Sequence, residues 1–109
     1  MKLQSKYYDF ILNGTKRIEI RLFDEKRQKI KIGDIIKFLK EPLLNESFKV
    51  RVVELLRYES FEDMINDFDI GMLATEAMTK EELISTLESF YSREKQKQYG
   101  VLGIRFELI

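Results

Sequence analysis

The run Gly14-Thr15-Lys16-Arg17-Ile18-Glu19-Ile20-Arg21 gathers the side chains of this chain best suited to chemistry. Lys16 and Arg21 are cationic donors, and Glu19 is a carboxylate acceptor. Arg21, two positions beyond Glu19, can hold that carboxylate ionised and in place. On a strand Glu19 and Arg21 share a face while Lys16 nominally points the other way. A bulge or turn at Gly14-Thr15 would bring Lys16 round to the same pocket. An exposed strand face with ordinary cross-strand ion pairs, each worth little, explains the same residues without a ligand.

The composition narrows what such a cluster can do. The chain has 109 residues with no Cys, no His and no Trp, which excludes disulfides, thiol catalysis, Ser-His-Asp triads and His/Cys zinc sites. No metal and no cofactor is therefore expected. The length suits one domain over residues 1–109. Lys and Arg balance Asp and Glu at 19 each, but unevenly along the chain. Through Tyr58 there are 14 basic and 8 acidic residues, a net of +6, and the remainder carries −6. Such a molecule can offer a basic face to an anionic partner, or its two halves can simply attract each other. The opening Met1–Lys6 lacks the apolar core of a signal peptide, so a soluble, cytoplasmic protein with no membrane partner is expected.

The elements that must position the cluster follow from periodicity. Ser5 to Asn13 predicts a short helix, with Ser5 as N-cap, Tyr7, Tyr8, Ile11 and Leu12 on one stripe, and Gly14 as the stop. Lys16–Leu22 alternates with period two, which places Ile18, Ile20 and Leu22 on one face of a strand. Asp24–Lys31 reads as a charged loop before Ile30 and Ile32 rejoin the core. Gly33-Asp34 turns into a strand over Ile35–Leu39, and Phe48–Leu56 forms a longer one. Ser60-Phe61 starts a helix. Thr79-Lys80-Glu81-Glu82 is a capping box, followed by an apolar stripe of Leu83, Ile84, Leu87, Phe90 and Tyr91. Arg93–Gln98 reads as a solvated helix face stopped at Gly100. Val101–Leu108 closes the chain as a central strand. Strands and helices do not alternate as a doubly wound fold requires. The fold class expected is α+β: a small, mostly antiparallel β-barrel with inserted and flanking helices.

Gly14-x-Lys16-x-x-Glu19-x-Arg21 resembles the GxKxxExR signature of ASCH (activating signal cointegrator homology) domains, which are PUA-like β-barrels. The resemblance extends over nearly the whole chain. It takes in the leading helix, the Gly33-Asp34 turn, the Tyr58-x-Ser60-Phe61 step and the Tyr99-Gly100-Val101 lead into the last strand. It implies a cleft lined by Gly14, Lys16, Glu19 and Arg21, suited to RNA or a nucleotide-like small molecule, with no DNA expected. One similar branch of the family consists of bacterial amidohydrolases that cleave N4-acetylcytidine. Their catalytic set implies Lys16, the position of Glu19, and Glu76 ahead of the capped helix as candidate catalytic residues. That branch has a Thr where this chain has Glu19. A carboxylate there would activate water or bind a donor rather than attack a carbonyl. Glu76 also suits the helix dipole whatever the function. Tyr7, Tyr8 and Phe10 could supply a stacking surface, although helical spacing sends at least two of them to the core.

A binding module for RNA or a nucleotide-like molecule is the leading expectation. A small amidohydrolase acting on an N4-acylated cytidine is the alternative, and a partner-binding domain whose signature fixes the barrel is a third. Even charge balance favours a small ligand over a long, salt-sensitive strand.

Overall fold

Period-two stretches of the chain become the five strands of one sheet: β1 (Lys2–Leu3), β2 (Ile18–Leu22), β3 (Ile35–Lys40), β4 (Ser47–Tyr58) and β5 (Val101–Leu108). The computed structural model describes residues 1–109, and no helix in it is long and apolar enough to cross a membrane. The strand order is β1-β3-β4-β5-β2, with β1 parallel to β3 and every other pair antiparallel. The sheet is mixed and strongly curled into a half-barrel, so β1 and β2 are its two edges. β5 has a neighbour on each side, as its apolar sequence predicts. A register shift between Val52 and Glu54 marks a bulge in β4, a device that bends a strand and increases its twist.

Five helices cover the sheet: α1 (Ser5–Leu12), α2 (Phe61–Asn66), α3 (Ile70–Leu73), α4 (Lys80–Phe90) and α5 (Arg93–Tyr99). α1 packs over Leu3, Phe38, Val50 and Phe106 through Tyr8 and Ile11. On the other side Phe61, Met64, Ile65, Leu73 and Leu83 bury Ile18, Ile20 and Leu22 of β2. Local chemistry sets the helix ends. The Thr79 hydroxyl accepts from the Glu82 N–H, and the Glu82 carboxylate accepts from the Thr79 N–H, completing the capping box. The Ser60 and Ser92 hydroxyls accept from the Asp63 and Lys95 N–H groups to cap α2 and α5, and Gly100, at φ +75°, lets the chain leave α5 for β5.

Several local expectations are corrected. Gln4, not Ser5, is the N-cap of α1, because Ser5 already lies in the first turn and Gln4 holds the extended ψ of 146°. Leu12 falls at the helix end and is half exposed. Ile32 does not rejoin the core and is 66% exposed, because it sits on a turn pinned by Gly33 N–H to the Val52 carbonyl and by Lys31 N–H to the Asp34 carboxylate. Phe90 is 59% exposed rather than part of a buried stripe. The α5 face is not wholly solvated: buried Gln96 accepts the Phe61 N–H on its side-chain oxygen at 3.0 Å, joining α5 to the start of α2. Replacing Gln96 by Met keeps the bulk but leaves that buried N–H unpaired. The expected cost, read from urea denaturation, is about 1–3 kcal/mol.

Candidate functional site

The geometry begins with the turn that ends α1. Gly14 adopts φ +89°, and the N–H groups of Thr15 and Lys16 both bond to the Phe10 carbonyl. The Thr15 hydroxyl donates to the Ala74 carbonyl at 3.1 Å, and the Arg17 N–H donates to the Met72 carbonyl at 2.7 Å. These bonds strap the segment to α3. The reversal carries the Lys16 side chain to the same side as Glu19, where simple strand alternation would have separated them.

Lys16 is 2% exposed and Glu19 6%. The ammonium of Lys16 donates to the Ile18 carbonyl at 2.6 Å and the Leu73 carbonyl at 2.7 Å, and it meets Glu19 Oε1 at 3.1 Å. Three N–H donors thus meet three acceptors, so the group is held as a saturated cation. The Tyr7 ring centre lies 5.7 Å from it, within cation–π range. Glu19 Oε2 accepts from Arg21 Nε at 2.9 Å and lies 2.8 Å from Nη2. Arg21 Nη2 donates onward to the Lys2 carbonyl at 2.7 Å. Because Lys2 lies on β1 and Arg21 on β2, this guanidinium ties together the two free edges of the half-barrel.

The charges shift one another. Burial pushes the Lys16 ammonium below the ordinary lysine value, against the pull of Glu19. Burial also works to raise Glu19, but Lys16 and Arg21 together outweigh it and hold the carboxyl below its usual value. For Arg21, burial is again the opposing effect, and Glu19 and Tyr91 together overcome it to raise the guanidinium pKa. With three acceptors around the Lys16 nitrogen, the cluster counts as two cations and one anion, a formal net charge of +1.

Above it opens a cleft of about 190 Å³ between the sheet edges and α4. This is smaller than the roughly 300–1,000 Å³ of drug-sized sites. Leu83, Leu87, Phe90 and Tyr91 form the apolar wall, Arg21 and Glu19 the floor, and Lys2 and Glu41 the polar rim. All three charged residues line the cleft, and the Arg21 side chain is the most exposed of them at 15%, against 8% for Glu19 and 3% for Lys16.

The structure brings Lys16, Glu19 and Arg21 together, with Gly14 as the turn that permits it. It does not bring Glu76 to them. Glu76 is exposed on the turn after α3, lies against Gly71, makes no ion pair and is outside the cleft lining. Of the suggested stacking residues, Tyr7 lines the cleft, Tyr8 is core and Phe10 packs against the α2–α4 cluster. Sequence reasoning missed Lys2, Thr86 and the role of Phe90. The Phe90-Tyr91 pair at the end of α4 was the available signal, because an aromatic on the last turn of a helix is free to cover a cleft rather than fill a core.

A family model described as "ASCH domain" matches residues 1–109. The chain is also similar to two archaeal proteins of known structure, each described as hypothetical or by locus alone. The crystal structure of hypothetical protein PH0355 shares 38% identity with a TM-score of 0.86, covering 100% of this chain and 96% of that one. The solution structure of protein PF0455 from Pyrococcus furiosus shares 36% identity with a TM-score of 0.77, covering 100% and 94%. No curated protein matches the chain.

Removing the carboxylate would leave two buried cations facing each other. Glu19→Ala is expected to destabilise the fold by about 3–5 kcal/mol in urea denaturation. Because Glu19 is held below its ordinary value, the unfolded chain takes up this proton first as pH falls. The stabilisation is complete above the ordinary glutamate value and is lost as pH drops through the lower folded value. Thermal unfolding followed from neutral to acid pH should show this limb in the wild type and a shallower one in Glu19→Gln.

Proposed function

Because the chain belongs to the ASCH-domain family, we propose that its cleft binds RNA or a nucleotide-like small molecule, one base at a time. The observation that carries this reading is the floor: a buried cluster of net charge +1, exposed to the cleft through Arg21 and roofed by an apolar wall that ends in the exposed ring of Phe90. An oxygen of a base, ribose or phosphate would meet the Arg21 guanidinium, with the Lys2 side chain beside it. The ring would lie along Leu87 and stack on Phe90. Glu19 is the counter-charge that orients Arg21, and Lys16 is the cation that keeps Glu19 buried and ionised.

Hydrolysis of an N4-acylated cytidine has less support. A catalytic base needs a free lone pair, and all three Lys16 donors are committed. The acid implied at Glu76 lies outside the cleft, and a carboxylate already shared by two cations replaces the nucleophilic Thr.

Binding of cytidine monophosphate by titration calorimetry tests the reading. Phe90→Ala should fold normally, since the ring is 59% exposed, and should weaken binding by about 5- to 150-fold, the equivalent of about 1–3 kcal/mol of stacking. Incubation with N4-acetylcytidine should release no cytidine. Turnover that disappears in Lys16→Ala would overturn the assignment in favour of a hydrolase.

A further inference from the structure

We infer that Lys2, Lys37 and Lys49 form a track for the phosphates of a single RNA strand, leading across the outer face of the sheet into the cleft. The inference rests on the nucleotide reading of that cleft. β3 and β4 pair so that Lys37 lies directly opposite Lys49. Their neighbours Phe38 and Val50 are fully buried, so alternation turns both lysines outward. β1 runs parallel to β3 with Lys2 beside Leu39, two residues from Lys37 and on the same face. The three lysines thus make a row over three adjacent strands, spanning roughly 10 Å at about 4.8 Å per strand. One end of the row, Lys2, lines the cleft, and its carbonyl accepts from Arg21.

The row is unpaired. All three lysines are exposed and none has a carboxylate within ion-pair distance. Other outward charges on the same sheet do have partners: Arg51 with Glu107 and Arg105 with Glu54, both at 3.4 Å. Like charges directly across a strand pair are destabilising, and no ion pair within the fold offsets Lys37 against Lys49. The face also lies within the first 58 residues, which carry the net +6. It presents no exposed aromatic ring, so it can meet backbone charge but cannot stack bases. The exposed ring lies in the cleft instead. Charge along a row with stacking only at its end fits a strand that runs its phosphates over the sheet and delivers one base to the pocket.

The test uses Lys37→Gln/Lys49→Gln, at exposed positions where relief of repulsion should leave the thermal midpoint equal or higher. Binding of a short single-stranded oligoribonucleotide is followed by fluorescence anisotropy across about 50–200 mM salt, with cytidine monophosphate measured in parallel. The plot of log K against log salt should be shallower in the variant by about 1.4, or about 0.7 per lysine. Affinity for cytidine monophosphate should be unchanged. Equal slope and affinity for the oligonucleotide in both proteins would overturn the track, as would wild-type binding to anionic vesicles or an acidic peptide without binding to RNA. Lysine-dependent RNA binding with no mononucleotide binding would sustain the track and remove the cleft reading.

Discussion

Everything near the cleft depends on one carboxylate lying between two cations. Glu19 is almost wholly buried, which no carboxylate tolerates alone. Lys16 takes one of its oxygens and Arg21 the other, and both cations then bond to backbone carbonyls. The chain of contacts runs from the Leu73 carbonyl at the end of α3, through Lys16, Glu19 and Arg21, to the Lys2 carbonyl on β1. It therefore joins a helix, one edge of the sheet and the opposite edge. A sheet this curled brings β1 and β2 near each other without pairing their backbones, and a guanidinium spans the gap that a ladder would otherwise close. Such a network adds little net stability compared with apolar packing, but a half-broken one is costly. Its value lies in fixing geometry.

That geometry separates two roles. Lys16 has matched its three donors to acceptors and lies almost wholly buried at the base of the cleft, where it fixes charge and position. Arg21 is the most exposed of the three charges and faces the cleft between Glu19 and Tyr91. The wall opposite comes from one side of α4 and its C-cap Tyr91, and the start of that helix is fixed by the Thr79–Glu82 capping box. The position of Phe90 over the cleft is thus tied to a local helix signal on a distant turn. Floor and wall come from the basic and acidic halves of the chain respectively, and the site exists only where the two halves pack.

Much of this was legible in the sequence. The capping box, the Ser60 helix start, the Gly100 stop and the central place of β5 are local or strongly periodic features. The signature residues Lys16, Glu19 and Arg21 are side chains that the structure brings into contact. Their burial did not follow from period two, which turns Glu19 and Arg21 away from the face of Ile18 and Ile20. β2 is covered on both faces because the curl of the sheet carries its second face under the start of the chain and the end of α4, a tertiary effect with no local signal. Gln96 looked solvated for the same reason, since only the docking of α5 on α2 makes it an acceptor for Phe61. Phe90 shows the reverse case, an apolar residue at helical spacing left exposed because its helix ends there. Glu76 was placed by resemblance alone, and the turn after α3 carries it away from the cleft.

Nitrogen-15 NMR of the site's own side chains, recorded while cytidine monophosphate is added, tests the central assignment most directly. The Lys16 ammonium should appear at neutral pH as a protonated group whose hydrogens exchange slowly, and it should stay in place through the titration. The Arg21 Nε–H resonance should move to saturation. A nucleotide that binds while Arg21 stays unmoved, or a Lys16 signal that exchanges rapidly as a free amine, would contradict the account.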